Sequence, residues 1–269
     1  MTSSRRTQEY QLRNRQYRDS RRLEARAALH DQFSTNPTGW QEWVFSHLQI
    51  PENAWILEVG CGPGYLWQEN RSDLPVGCRI YLTDLSPGML SEAKQALPDC
   101  GRFVFTTADV SQLPFQNDLF DLVIANHMLY HLPSVETALQ EIHRVIKPLG
   151  CLYAATNGSH HLEEIYAWEA RFVPQKDQGR WGTGTRAFDL ENGTALLNLL
   201  FKDIKLVRYP DRLLVTKVDP LIHYINSYQL VELDLETRGC LEDFLQQELG
   251  AKGAIEITKQ SGMFSAVKR

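Results

Sequence analysis

Ile56-Leu57-Glu58-Val59-Gly60-Cys61-Gly62-Pro63-Gly64 decides the reading of the fold: an apolar strand, an acid near its end, then a glycine turn leading into Tyr65, Leu66 and Trp67. Glycines at such a turn let the backbone come close to a ligand, because a Cβ would occupy ligand space or forbid the dihedrals. The spacing is G-x-G-x-G. In the dinucleotide fingerprint G-x-G-x-x-G the last glycine would fall at position 65, where close helix packing wants a small residue, and Tyr65 stands there instead. The departure points away from NAD and FAD and toward a ligand without a pyrophosphate. The alternative reading of the same loop is a purely structural turn, which the further motifs weigh against.

Outward from this stretch the chain is regular from Trp55 to Thr156. Five short β-like runs, Trp55 to Val59, Arg79 to Thr83, Arg102 to Thr106, Leu122 to Ala125 and Cys151 to Ala155, mostly alternate with helical stretches. That is the signature of βαβ units around a parallel sheet. Ser86 is expected to cap a helix with Pro87 at its first position. Ser134 is expected to cap another, whose stripe of Val135, Ala138, Leu139, Ile142 and Val145 runs until Pro148 and Gly150 stop it. Upstream, Pro37, Thr38 and Gly39 precede a segment in which Trp40, Trp43, Val44, His47 and Leu48 recur at helical spacing.

After Ala155 the alternation fades. Helices are expected near Leu162 to Phe172, Leu221 to Tyr228 and Leu241 to Leu249, with a strand over Ile204 to Tyr209. Ala254 to Thr258 and Met263 to Val267, separated by Lys259, Gln260, Ser261 and Gly262, read as a terminal hairpin.

Further acids follow the first strand in a set order. Asp84 ends the second strand, 24 residues after Gly60, where a carboxylate can accept both ribose hydroxyl hydrogens; otherwise it belongs to the turn before Ser86. Ala108-Asp109-Val110 follows the third strand and offers a carboxylate to an amino group and a backbone amide to a ring nitrogen. Leu113-Pro114-Phe115 and Phe120-Asp121 then lead into the fourth strand.

In this order of motifs, residues 54 to 156 resemble the class I S-adenosylmethionine-dependent methyltransferases, especially the small-molecule branch similar to ubiquinone and menaquinone biosynthesis enzymes. The resemblance implies an α/β Rossmann-like doubly wound sheet, mostly parallel with a reversed last strand to which the terminal hairpin contributes. It divides the chain into an N-terminal helical arm or lid (1–50), a cofactor-binding core (51–156) and an acceptor-selecting insertion with the closing strands (157–269). The implied cofactor is S-adenosylmethionine. Glu58, Gly60, Cys61 and Gly62 would line its methionine end, Asp84 and Leu85 its ribose, and Asp109 and Val110 its adenine. Met89 would pack on the adenine or within its own helix, and Asn126 and His127 would sit near the sulfonium. Lys147-Pro148-Leu149-Gly150 departs from the family, which more often has two glycines after the proline.

Methyl transfer needs an aligned acceptor above all, and a base only when the acceptor arrives protonated. His127 and His131 lead the candidates, with Tyr130, His160 and His161 behind them; each could equally be a structural hydrogen bonder. The two leading histidines are four apart, with no third ligand at a spacing that suggests a metal. In the arm, Arg26 or His30 could meet the cofactor's carboxylate, unless that segment is an ordinary amphipathic helix. Trp40, Trp67 and Trp181 could stack on a planar ligand, or serve as core.

The 269 residues, 43% hydrophobic and 23% charged, exclude a disordered, fibrous or membrane-spanning chain. The N-terminus lacks the apolar core of a secretion signal, so a cytoplasmic location is expected. Cys61, Cys78, Cys100, Cys151 and Cys240 are widely spaced, without a CxxC pair, and are expected to be free buried thiols. The net charge of -5 divides unevenly: residues 1–30 carry +5 and the rest -10. An acidic body suits a small-molecule acceptor better than a phosphate backbone. Two other readings stay open, an RNA methyltransferase using the Arg-rich arm and a non-catalytic protein that binds S-adenosylmethionine. Neither the acceptor nor the oligomeric state is legible.

Overall fold

In β1 (Trp55–Val59), Leu57 and Val59 enter one apolar cluster and Ile56 the opposite one. A strand buried on both faces must lie inside a sheet covered by two layers. The computed structural model, which describes residues 21–97, 101–174, 187–229 and 232–269, shows that sheet. Its further strands are β2 (Arg79–Asp84), β3 (Phe103–Thr107), β4 (Phe120–Asn126), β5 (Ile146–Asn157), β6 (Phe201–Tyr209) and β9 (Ser261–Lys268). The order is β3-β2-β1-β4-β5-β9-β6; β1 to β5 pair in parallel, and β9 runs antiparallel to both its neighbours. The expected doubly wound sheet with a reversed last strand is present.

One face is covered by α2 (Trp40–Ser46), α3 (Tyr65–Asn70) and α4 (Pro87–Ala96), which contribute Trp43, Val44, Leu66, Trp67 and Leu90. The other is covered by α5 (Val135–Val145) and the short α7 (Gly193–Leu197). The caps form as predicted: Ser86 Oγ accepts from Met89 N and Ser134 Oγ from Thr137 N, each at 3.3 Å. The whole predicted stripe of α5 is buried.

A third cluster stands apart and forms a cap. It joins α1 (Arg21–Phe33), α6 (Glu163–Phe172), α8 (Asp219–Tyr228), α9 (Leu235–Lys252) and a two-stranded sheet of β7 (Arg212–Val215) and β8 (Ile255–Thr258). Leu29 and Phe33 of α1 pack there with Leu213, Leu221, Ile225, Leu241 and Ile257.

Several expectations are corrected. The terminal hairpin does not form. β8 pairs with β7 in the cap, whereas β9 fills the slot between β5 and β6, because each strand's alternate apolar residues belong to a different cluster. The Ser134-capped helix ends at Val145, before Pro148, since Ile146 already pairs with Phe120 in the sheet. Pro148 and Gly150 lie instead in an irregular start of β5, where Leu149 takes the left-handed φ of 64° that favours glycine. Helix α2 stops at Ser46, so His47 and Leu48 lie beyond it. Cys61 and Cys78 are buried, Cys151 is half-buried and Cys240 is exposed, against the expectation of uniformly buried thiols. Residues 1–20 of the basic arm, Cys100 and Trp181 lie outside the described residues. No described helix is long and apolar enough to cross a membrane.

Candidate active site

A cavity of about 660 Å³ opens at the carboxyl edge of β1, β2 and β4, with the cap as its opposite wall. Parallel sheets place ligands at this edge, where the loops diverge. Gly60, Gly62 and Gly64 take φ of 66°, 55° and 82°. A Cβ at Gly60 would come within 2.8 Å of Met128 Cβ, so packing demands that glycine, whereas at Gly62 it would meet only Leu23 Cδ2, at 3.9 Å across the cavity.

Asp84 ties this loop to the end of β2. Its carboxylate accepts from Gly62 N at 2.9 Å and from Ser86 N at 2.7 Å. Burial nevertheless pushes its pKa above the ordinary value, against the pull of those backbone bonds. Glu58, buried at the end of β1, accepts from Trp67 Nε1 at 2.6 Å. Burial raises its carboxyl to about 8, with the Trp67 bond opposing and the nearby Asp84 adding to the rise. Both acids therefore suit a ligand that brings hydroxyl donors or a positive charge to them. Cys61 is no nucleophile: burial pushes its thiol well up, and Glu58 and Asp84 add to this. On the next wall, Leu85, Met89 and Val110 line the cavity, and Asp109 also accepts from Ser111 N at 2.8 Å in a local turn.

At the end of β4, Asn126 is held from α2: Trp40 Nε1 donates to its Oδ1 at 3.2 Å, and its Nδ2 donates to Gln41 Oε1 at 3.3 Å. His127 follows with φ 55°, a conformation costly for a non-glycine residue and concentrated at functional sites. Its ring lies 4.7 Å from that of Trp40 and 6.2 Å from that of Tyr130. His131 comes next in the turn Leu129–His131, 4.4 Å from Tyr130 by ring centroids.

The cap supplies Arg26, His30, His161, Tyr166, Tyr224 and Lys259. His30 stacks 6.1 Å from His161, whose Nδ1 accepts from Gln260 N at 3.1 Å. Burial, then Lys259 and His127, lower the His30 pKa to about 3, so its ring is neutral.

All residues expected to hold the cofactor or to act as a base, namely Glu58, Gly60, Cys61, Gly62, Asp84, Leu85, Met89, Asp109, Val110, Asn126, Arg26, His127 and His131, line this one cavity. Tyr130, His161, His30 and Trp40 line it too. His160 does not join them. It is exposed and pairs with Glu163 at 2.6 Å, which raises its pKa. Trp67 is fully buried core and donates to Glu58 instead of lining the cavity. The Phe120-Asp121 motif is structural: the Asp121 carboxylate accepts from Trp55 N at 2.8 Å and Lys147 Nζ at 2.7 Å. Sequence reasoning missed Gln41, Tyr166, Tyr224 and Lys259. None sits in a motif, and only the folded cap brings them to the site.

A mostly parallel sheet with a reversed strand and a glycine-loop cavity at its carboxyl edge defines a Rossmann-like class. Residues 57–154 match the family described as "Methyltransferase domain", and in this part the chain is similar to class I S-adenosylmethionine-dependent methyltransferases. The chain is 34% identical over 116 residues to a malonyl-[acyl-carrier protein] O-methyltransferase of Legionella pneumophila, covering 43% of this chain and 40% of that protein. It is 37% identical over 97 residues to a demethylmenaquinone methyltransferase of Chlamydia caviae, covering 36% and 41%. The chain thus spans about half the length, or less, of these curated relatives. Among solved structures, a Haemonchus contortus phosphoethanolamine N-methyltransferase 2 in complex with S-adenosyl-L-methionine aligns with TM-score 0.61 at 17% identity, over 97% of this chain and 60% of that one. A putative methyltransferase from Bacillus halodurans aligns with TM-score 0.59 at 15% identity, over 85% and 98%. At those identities the likeness shows the fold.

Proposed function

We propose that the protein transfers a methyl group from S-adenosylmethionine to a small-molecule acceptor. The observation that carries this reading is the convergence of the glycine loop, Glu58, Asp84, Asp109 and the β4 end on one cavity closed by a cap. When bound, the cofactor supplies a methyl group on a positively charged sulfur. Asp84 receives the ribose hydroxyls while its bonds to Gly62 and Ser86 keep it in place. Glu58, Gly60, Cys61 and Gly62 border the methionine end, where a bound ammonium draws the raised Glu58 pKa back toward ionisation. Leu85 lies beside the ribose, Asp109 and Val110 recognise the adenine, and Met89 packs on it. Arg26 takes the cofactor's carboxylate.

Asn126, clamped by Trp40 and Gln41, and His127 face the reacting end. Alignment of acceptor and methyl group supplies most of the acceleration, and His127 or His131 takes a proton where the acceptor arrives protonated. In this reading the N-terminal lid helix and the region after residue 157 select the acceptor, while the stretch between them binds the cofactor.

Incubation with methyl-labelled S-adenosylmethionine and a metabolite extract tests the activity. Label in a small product is the expected outcome. Cofactor binding by calorimetry without transfer to any product would leave a binding protein, and absence of cofactor binding would end the proposal.

A further inference from the structure

Lys259 lies in the two-residue link between β8 and β9 and lines the cavity on its cap side. Its side chain is 6% exposed; Nζ is 2.6 Å from Asp211 Oδ2 and 5.0 Å from the centroid of the Tyr209 ring. Asp31, which lines the same cavity, adds a weaker electrostatic attraction from farther off, so an ammonium with three donors commits one of them directly to a carboxylate. That carboxylate is shared. Ser34 Oγ donates to Oδ2 at 2.6 Å, and Thr35 N, Asn36 N and Arg212 N donate to Oδ1 at 2.9, 3.1 and 2.8 Å. Its charge is spread over these donors and offsets the lysine less than an exclusive partner would.

His30 stands on the same wall. Its Nδ1 is buried and makes no hydrogen bond to any described residue. Buried polar groups in folded proteins are nearly always satisfied, so an exception on a cavity wall calls for a cause, such as a catalytic role or a bound group that completes it. Trp40, Tyr166 and Tyr224 line the cavity around this pair and suit a flat molecule.

We propose that Lys259 and His30 form the acceptor-anchoring subsite, and that it takes a small planar molecule bearing an anionic oxygen, a carboxylate or an ionised ring hydroxyl. The oxygen accepts from Lys259 Nζ, and the neutral His30 ring lies against it without bringing a second positive charge. Asp211 is a positioning residue: it fixes the lysine by gathering the links Ser34 to Asn36 and Asp211 to Arg212 around it. The inference rests on the methyltransferase reading of the same cavity.

The test uses the full chain saturated with S-adenosylhomocysteine, and calorimetry with two probe pairs: benzoate against benzamide, and 4-nitrophenolate against nitrobenzene. At least one anion binds about tenfold or more tightly than its neutral counterpart, and which one does so tells carboxylate from ring hydroxyl. The preference disappears in Lys259→Met. It disappears as well in the double variant Lys259→Met with Asp211→Asn, which leaves no unpaired buried charge and keeps the fold. His30→Phe lowers anion affinity by roughly threefold to tenfold. No preference in the wild type, or a preference that survives both lysine variants, overturns the proposal; an unchanged His30→Phe removes His30 from it. Failure of S-adenosylhomocysteine to bind instead strikes the underlying reading, and the probe pairs measured on the free protein still score the subsite separately.

Discussion

The sheet and the cap are built on opposite plans. The sheet's first five strands come from one continuous stretch, 55 to 157, with a helix in the links from β1 to β2, β2 to β3 and β4 to β5, each of which joins neighbouring strands. The cap is gathered from α1, α6 and the segment from β7 to β8, with contacts such as Ser34 to Asp211 spanning 177 positions. Local order makes the sheet self-specifying, whereas the cap exists only once distant segments meet. The cavity lies between the two, so one wall is sheet edge and the opposite wall depends on a few long-range ties.

The sharpest way to break this contrast is Asp211→Ala. It removes the acceptor for Ser34, Thr35, Asn36 and Arg212 and leaves Lys259 buried without its counter-charge. A loss of about 3–5 kcal/mol is expected from stranding one member of a buried pair. Hydrogen exchange should show α1, α8 and β7 losing protection while β1, β4 and β5 keep theirs. Uniform loss across the molecule would contradict a separable cap. On the other wall, Asp84→Ala leaves the sheet folded by circular dichroism and lowers S-adenosylmethionine affinity by roughly 10–100-fold, the scale of charge-assisted hydrogen bonds. Equal affinity for both proteins would refute the role proposed for Asp84.

The two walls also respond to pH in opposite directions. Glu58 has an ordinary pKa of 4.5 and is raised by burial to about 8, so the folded protein holds a proton that the unfolded chain releases. Its contribution is fully present at low pH and is lost as pH rises from about 4.5 to about 8. His30 has an ordinary value of 6.5 and is lowered to about 3, chiefly by burial, so the unfolded chain takes up a proton that the folded one refuses. Its contribution is present above pH 6.5 and is lost as pH falls toward 3. Urea unfolding across this range should therefore show an alkaline slope that flattens in Glu58→Gln and an acid slope that flattens in His30→Asn. Unchanged slopes in either variant would remove that residue from the account. Glu58→Gln keeps its effect within the sheet, and His30→Asn within the cap.

The smallest expected effect lies far from the cavity. Leu149 is 72% exposed and holds a φ of 64° at the irregular start of β5. Leu149→Gly relieves the left-handed strain and should raise stability by about 1 kcal/mol in urea unfolding, with cofactor binding unchanged. No gain would mean that contacts of the leucine compensate the backbone.

The sheet-edge wall was legible because its signals are short-range. Gly60, Gly62 and Asp84 declare themselves by residue type and by position at strand ends, and the strand spacing puts those ends on one edge. The stripe of α5 was likewise visible in a single eleven-residue helix. Near the chain's end the same logic failed. Two apolar runs with a short link look like a hairpin, yet β8 and β9 part to different sheets, since the slot between β5 and β6 and the pairing edge of β7 are not written near them. His160 and His161 were indistinguishable as neighbours in sequence. The fold buries His161 in the cavity wall and leaves His160 outside with Glu163.

The sequence by itself determined the class of sheet, the glycine loop and the acids at the strand ends that line the cavity, because strand period, turn chemistry and strand-end position are local properties of the chain. Only the tertiary structure decided which histidine faces the cavity, that Trp40 and Gln41 clamp Asn126, and that Lys259 reaches the site beside His30. Those contacts join residues up to more than two hundred positions apart, and no local pattern records which distant segments will close over one another.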